Sequence, residues 1–190
     1  GFKYIRDIRS LDDFNGVWNL RINDLGDEFM ISSNQMGPFP EGLQVGLVNI
    51  NERKVLLNFV DHKEVISNNK NSVYDLKVIA GDQEYVKSMS QEILSSIPEE
   101  FFLGQNYPNP FNPITQMEYS LPQSSKVVIS IYNVLGQEVK TLVNKEQDYG
   151  YHSVSWDGTD RLGKSVASGV YFTQMRSDGF SQSKKMLLLK

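Results

Sequence analysis

A proline-rich segment in the middle of the chain, residues 101–113, is the feature that most restricts its fold. Its sequence, FFLGQNYPNPFNP, places prolines at positions 108, 110 and 113. Proline has no backbone N–H and disfavours helical geometry in the residue before it, so this stretch cannot be a helix. We therefore expect an extended path at the edge of a sheet rather than in its centre.

The composition excludes several classes of protein. The 190 residues are 39% hydrophobic and 22% charged, as in ordinary globular domains, and the length suits two domains. The formal net charge of -4 argues against a nucleic-acid-binding protein, which would carry a basic patch. There is no cysteine, hence no disulfide and no thiolate metal site, and no apolar run reaches the length of a membrane-spanning helix. The chain starts without a signal-like segment, so we expect it to be the C-terminal part of a longer protein.

Residues 1–87 are predicted to form a small β-sandwich. Trp18, Leu20 and Ile22 alternate with polar residues, which is the pattern of a half-buried strand. Further predicted strands are 29–31, 45–49, 55–60, 73–79 and 84–86, separated by stretches rich in Asn, Asp and Gly. Residues 88–100 are interpreted as a linker, in which Ser88 and Gln91 could cap a single helical turn before Pro98.

Residues 101–190 are predicted to form an immunoglobulin-like β-sandwich. Strands are expected at 115–121, 127–132, 138–143, 150–156 and 170–175, with a last strand that ends at Leu189. The Asp178-Gly179 pair between two apolar runs predicts a tight hairpin before that last strand. The predicted fold class is therefore all-β, with two tandem immunoglobulin-like β-sandwich domains.

Five motifs of the second half occur together in a fixed order. They are NYPNPFNP at 106–113, IYNxLG at 131–136, VSWDG at 154–158, SGVYF at 168–172 and the terminal KKMLLLK at 184–190. Residues 99–190 resemble the C-terminal sorting domain of type IX secretion cargo (the Por secretion system type A domain) in the order and spacing of these motifs. They are also similar to the immunoglobulin-like part of flagellar hook-capping proteins, which shares the Gly-Val-Tyr and Trp-Asp-Gly features.

The resemblance to the sorting domain implies a secreted or surface-anchored protein of a Bacteroidota-like bacterium, exported through the periplasm and across the outer membrane. The implied partners are the type IX secretion machinery and a sortase-like peptidase that could remove the domain, with anchoring to surface lipopolysaccharide. The positions that match the motifs, and to which the resemblance assigns a sorting role, are Asn106, Pro108, Asn109, Pro110, Phe111, Gly136, Trp156, Asp157, Gly158, Gly169, Tyr171, Lys184, Lys185 and Lys190.

The residue types of the motifs predict structural roles without the resemblance. Trp156, Tyr132, Tyr171 and Phe172 are large enough to cover the core, and the glycines at 136, 158, 163 and 169 suit turns with positive φ. The lysines of the last strand bracket an apolar stretch. They could protect a sheet edge from aggregation, or the edge could be offered to a receptor by strand addition, and the resemblance favours the second interpretation.

Candidate catalytic and metal-binding residues are few. The two histidines, His62 and His152, do not lie at a spacing typical of a catalytic triad. Asp157 and Asp160 flank a glycine in a turn similar to part of a calcium loop, but the further oxygen ligands are missing. The acidic stretches at 12–13 and 24–28 are interpreted as solvated loops. We expect no enzymatic activity, no cofactor and no metal ion in this chain.

The function of residues 1–87 stays open between a passive spacer, a carbohydrate- or protein-binding module, and the tail of an enzyme whose active site lies upstream. Trp18, Phe39 and Tyr74 could form an aromatic platform for a glycan ligand, although aromatic residues of small domains more often lie in the core.

Overall fold

The computed structural model describes residues 15–22, 28–32, 40–59, 63–67 and 74–190. Within these ranges the chain forms thirteen strands and one helix, in two compact units that divide between Ser95 and Ser96. The all-β fold class predicted from the sequence is confirmed.

The first unit contains six strands in two antiparallel sheets. The strands are β1 (Gly16–Ile22), β2 (Glu28–Ser32), β3 (Gln44–Asn49), β4 (Lys54–Leu56), β5 (Lys63–Ser67) and β6 (Tyr74–Gly81). The larger sheet has the order β1-β6-β3-β4, and β2 pairs with β5. Leu47, Phe59, Tyr74 and Leu76 form its core, against which Ile31 of β2 packs. The predicted aromatic platform is wrong for Tyr74, which is a core residue. The predicted solvated loop at 24–28 is wrong for Glu28, which begins β2. Phe39, His62 and residues 12–13 and 24–27 lie outside the described residues.

Helix α1 (Gln83–Ser96) corrects two predictions. Residues 84–86 are helical and not a strand, and most of the expected linker at 88–100 is the rest of the same helix. The Asp82 carboxylate caps the helix by accepting the backbone N–H of Tyr85 at 2.7 Å. Val86, Ser90 and Ile93 form its buried face. A Cβ atom on Gly46 of β3 would lie only 2.8 Å from the Val86 side chain, so helix and sheet pack closely at this point.

The second unit is a sandwich of two antiparallel sheets. Its strands are β7 (Phe102–Leu103), β8 (Thr115–Leu121), β9 (Ser125–Asn133), β10 (Glu138–Gln147), β11 (Gly150–Trp156), β12 (Gly169–Ser177) and β13 (Phe180–Leu188). One sheet has the order β10-β9-β12-β13 and the other β11-β8-β7. The core between them includes Met117 and Trp156 from one sheet, and Ile129, Met175 and Met186 from the other. The predicted hairpin at Asp178-Gly179 joins β12 to β13.

Two of the four aromatic residues expected to cover this core point elsewhere. Trp156 and Tyr171 are buried, but Phe172 is 37% exposed and its cross-strand partner Tyr132 is only partly buried. Because successive side chains of a strand face opposite sides, the inward position of Tyr171 places Phe172 on the outer face of the sheet.

Candidate functional site at the edge of the terminal strand

The proline-rich segment (residues 101–113) begins as an edge strand of the smaller sheet. Phe102 and Leu103 pair with Ser120 and Tyr119 of β8, and the N–H of Gly104 donates to the carbonyl of Glu118 at 2.7 Å. Tyr107 exchanges two backbone hydrogen bonds with Gln116, at 2.8 and 3.0 Å. This half of the segment agrees with the predicted edge position.

The segment then changes from one sheet to the other. The chain bends over residues 108–110, so the expected extended path is wrong here. The Tyr107–Pro108 and Asn109–Pro110 peptide bonds are cis. It next runs beside the terminal strand β13. The N–H of Phe111 donates to the carbonyl of Leu187 at 3.0 Å, and the N–H of Leu189 donates to the carbonyl of Phe111 at 2.9 Å. One segment thus closes the same side of both sheets.

Side-chain amides complete the cover over the outer edge of β13. The carboxamide oxygen of Asn109 accepts the N–H of Leu187 at 2.9 Å. The carbonyl of Lys185 accepts hydrogen bonds from Gln105 Nε2 at 2.8 Å and from Asn109 Nδ2 at 3.4 Å. The edge from 185 to 189 is therefore paired within the chain. The prediction that this edge stands open to a receptor is wrong for the folded structure.

Asn106 fixes the bend from a buried position. It is almost fully buried, and its Nδ2 donates to the carbonyl of Pro108 at 3.0 Å and to Thr115 Oγ1 at 2.9 Å. Its own oxygen accepts from Gln105 Nε2 at 2.7 Å, and the Thr115 hydroxyl donates to the same Pro108 carbonyl at 2.8 Å. A buried amide stabilises a fold only when its hydrogen-bonding groups are satisfied, and here they hold both ends of the bend together.

Three aromatic residues of separate motifs meet beneath the segment. The ring of Phe111 lies 5.6 Å from that of Trp156, which lies 5.1 Å from the ring of Tyr171 in an edge-on arrangement. Trp156 Nε1 donates to the carbonyl of Thr159 at 2.9 Å. The Tyr171 hydroxyl donates to the carbonyl of Ala167, four residues upstream, as in the tyrosine corner of immunoglobulin-like sandwiches.

Gly158 lies close to both the end of the proline-rich segment and the terminal strand. A Cβ atom on this residue would lie 3.2 Å from the carbonyl oxygen of Pro113 and 3.6 Å from the Leu188 side chain. Its φ of 68° belongs to the left-handed region, which a residue with a Cβ adopts only at a cost. Glycine is therefore required at this position for two separate reasons.

We expect Gly158→Ala to destabilise the second unit by about 2–5 kcal/mol, the sum of about 1–2 kcal/mol for the left-handed backbone and about 1–3 kcal/mol for a crowded Cβ. The matched control is Gly136→Ala. Gly136 has a similar φ of 76°, but nothing lies within 4 Å of the position that its Cβ would take, so only the backbone cost of about 1–2 kcal/mol applies. Denaturant unfolding of both variants measures the difference, and equal losses would contradict the close approach of Pro113.

The carboxylates of the Trp-Asp-Gly turn serve the turn itself. Asp157 Oδ1 accepts the Thr159 hydroxyl at 2.6 Å and Lys140 Nζ at 3.1 Å, and these hydrogen bonds lower the pKa of Asp157 to about 2. Asp160 Oδ1 accepts the backbone N–H groups of Leu162 and Lys164. No group of three or more His, Cys, Asp or Glu side chains in the described part of the chain could hold a metal ion.

The remaining predicted site residues are dispersed. Lys184 Nζ lies 5.9 Å from the centre of the Phe102 ring, Lys185 is exposed, and Lys190 Nζ donates to the carbonyl of Val166. Gly169 begins β12 opposite Leu188. Gly136 lies in the turn between β9 and β10, and none of the contacts of the proline-rich segment described above involves it.

His152 stacks on Tyr119, with ring centres 5.3 Å apart, and its Nε2 lies 2.8 Å from the carbonyl of Asp148. These contacts give His152 a structural role. The absence of enzymatic activity stays a prediction.

Sequence reasoning missed three residues that hold the edge together. Gln105, Thr115 and Gln182 all bond across the segment, the last by accepting the N–H of Leu103 at 2.8 Å. Gln105 directly precedes the first motif, which is the one signal that could have identified it.

Comparison with known proteins supports an immunoglobulin-like fold for this unit. The sequence model of the FlgD Ig-like domain family matches residues 114–179. The immunoglobulin-like prediction is thereby confirmed. No curated protein matches the chain.

Three solved structures are similar to parts of the chain. FlgD from Pseudomonas aeruginosa is 28% identical over 40% of this chain and 59% of its own, with a TM-score of 0.31. PorZ from Porphyromonas gingivalis, described as an essential bacterial surface component of its type-IX secretion system, is 15% identical over 63% of this chain and 15% of its own, with a TM-score of 0.34. Dimeric latent PorU from the same organism is 15% identical over 80% of this chain and 12% of its own, with a TM-score of 0.40.

Across the residues that the structure describes, no helix is both long enough and apolar enough to cross a membrane.

Proposed function

We propose that the second unit is a C-terminal sorting domain, which directs the protein that carries it across the outer membrane through the type IX secretion machinery. The proposal places the protein outside the cell or on its surface. It also makes that machinery, with a sortase-like peptidase, the partner of this unit.

The observation that carries the proposal is the arrangement of the exposed motif residues. Four motif residues are buried, so their place in the motifs follows from the fold: Asn106, Phe111, Trp156 and Tyr171. Four others are exposed, so burial does not account for them: Pro108, Asn109, Pro110 and Lys185. Asn109 bonds to the backbone of residues 185 and 187, so these exposed residues from opposite ends of the unit form one continuous surface. Exposed loop residues that lie outside the core are candidates for recognition.

A structural module like the flagellar hook-capping domain is the second candidate, because the family match over residues 114–179 favours it. That match ends before the terminal strand and begins after the proline-rich segment. The two segments that form the exposed surface thus lie outside the region shared with that family, which favours the sorting role.

A test of the proposal compares two double variants in a bacterium that has a type IX system. The chain is expressed behind a signal peptide, and its position is measured by cell fractionation and surface protease treatment. We expect the unchanged chain to reach the surface, and to stay in the periplasm of an isogenic strain that lacks the outer-membrane translocon. Lys184→Ala with Lys185→Ala is expected to reduce surface delivery, because it removes two positive charges from the strand whose backbone Asn109 binds.

The matched control replaces Lys126 and Lys145, which are exposed lysines of β9 and β10, with alanine. Both pairs remove the same charge, and neither is expected to change stability by more than about 1 kcal/mol, which circular dichroism checks. Surface delivery of the unchanged chain in the strain without the translocon would refute the sorting role. Equal export of both double variants would refute the proposal that the secretion machinery recognises the terminal lysines.

A further inference from the structure

We propose that residues 109–113, here called the edge cover, form a removable lid on the outer edge of β13. An extended strand of a partner would replace the lid and insert a large apolar side chain where Phe111 now lies. The identification of that partner with the secretion machinery rests on the proposed function. The exchange itself does not.

The backbone groups of β13 under the edge cover are arranged to pair with a further strand. In an antiparallel strand, alternate residues direct both N–H and C=O to the same side. The backbone N–H groups of Leu187 and Leu189 therefore point away from β12. The first donates to the Asn109 side chain and the second to the carbonyl of Phe111. Pro110 and Pro113 have no N–H to donate, so the edge cover cannot extend this ladder. A regular partner strand could make more backbone bonds here than the edge cover does.

A single buried side chain anchors the edge cover in the core. Phe111 is 2% exposed and packs on Trp156, whereas the flanking residues from 107 to 110 and from 112 to 114 are all exposed. Withdrawal of the edge cover therefore uncovers one apolar socket. A partner strand needs an aromatic or large aliphatic residue at the matching position, since an empty socket would leave Trp156 without the ring that packs on one side of it.

The base of the edge cover is held independently of its tip. Asn106 and Thr115 both bond to the carbonyl of Pro108 and to each other, just before and just after the edge cover. Tyr107 stays paired with Gln116 of β8. Residues 109–113 are thus a short loop between two fixed points, which can lift without unpairing the rest of the segment.

The first experiment measures amide hydrogen exchange in the purified 190-residue chain and in Asn109→Ala. The substitution removes the bond to the Leu187 amide but no bond of the Leu189 amide. If the edge cover lifts as a unit, Leu189 also exchanges roughly five-fold faster, the equivalent of about 1 kcal/mol for one hydrogen bond. Met186 and Leu188, whose amides face β12, should keep their exchange rates.

Asn112→Ala is the matched control, because Asn112 is exposed and its side chain makes no hydrogen bond to the described residues. It should leave all four rates unchanged. Acceleration of Leu187 alone would show that the edge cover does not lift as a unit. Equal acceleration of all four amides would show opening only by unfolding of the whole sheet. Either result overturns the proposal.

The second experiment supplies a peptide copy of the edge cover from outside. A synthetic peptide with the sequence of residues 107–114 is added to the chain carrying Phe111→Ala, and the midpoint of thermal unfolding is measured. We expect the peptide to raise this midpoint and to slow exchange at Leu187 and Leu189. The same peptide with alanine at the phenylalanine position should do neither.

If the two peptides change the unfolding midpoint and the exchange rates equally, the proposal that a large apolar side chain fills the socket is refuted. If Phe111→Ala does not fold, the exchange rates of Asn109→Ala decide the question. Both experiments use purified protein without any secretion machinery. A failure of the edge cover to lift is therefore distinguishable from a failure of export in the cell.

Discussion

Replacement of Trp156 with alanine is expected to lower the free energy of unfolding of the second unit by about 3–5 kcal/mol. Trp156 is 0% exposed and lies between the rings of Phe111 and Tyr171. Its removal leaves a cavity between the two sheets and also frees the Thr159 carbonyl that its indole N–H binds. A domain of this size is stable by about 5–15 kcal/mol, so the loss is a large part of the total. Denaturant unfolding followed by circular dichroism measures it.

Leu162→Ala is the control for the Trp156 variant, because Leu162 is 84% exposed in the turn that follows Trp156. An exposed truncation of this kind changes stability by about 0.5 kcal/mol or less. A comparable loss in the two variants would mean that the aromatic cluster of Phe111, Trp156 and Tyr171 does not hold the sandwich together.

The strands of the second unit could be read from the sequence because their local signals agree with their environment. The bounds predicted for 115–121 and 150–156 are those of β8 and β11. From residue 115 to residue 119 of β8, buried side chains alternate with exposed polar side chains, as expected for a strand with one face on the core. The Asp178-Gly179 turn depends on only two residues and is equally local.

Helix α1 was missed because its apolar stripe is interrupted. The buried positions of the helix are Val86, Ser90 and Ile93, and the serine in the middle hides the helical period. The buried hydroxyl of Ser90 finds its hydrogen-bond partner within the helix, because it donates to the carbonyl of Val86 at 2.7 Å. The capping residue, Asp82, lies in one of the stretches rich in Asn, Asp and Gly that were expected only to separate strands. Tertiary packing on β3 supplies what the pattern lacks.

The contacts of the candidate site were beyond sequence reasoning for a different reason. They join residues that lie far apart in the chain, such as Gln105 and Lys185 or Asn109 and Leu187. A side-chain amide that bonds to a backbone group leaves no period or spacing in the sequence. The motifs indicated that both segments matter, but only the fold shows that one covers the other.

Deletion of residues 184–190 is expected to abolish cooperative unfolding of the second unit and to leave the first unit folded. The deletion removes Met186 and Leu188, two core side chains worth about 2–5 kcal/mol each, and leaves β12 without its partner over residues 169–173. Phe111 also loses both of its backbone bonds to β13. The combined loss is comparable to the whole stability of a domain of this size, about 5–15 kcal/mol.

Tryptophan fluorescence measures this outcome, because the chain has one tryptophan in each unit, Trp18 and Trp156. In a Trp18→Phe background, the emission of Trp156 should shift to the red in the truncated chain and stay unchanged in the variant with alanine at 184 and 185. Native emission from the truncated chain would mean that β13 is dispensable for the fold. A loss of export in the truncated chain would then support the proposed recognition of the last residues. If the truncated chain unfolds, a loss of export could come from the unfolding, and the paired lysine variants are needed to test recognition separately.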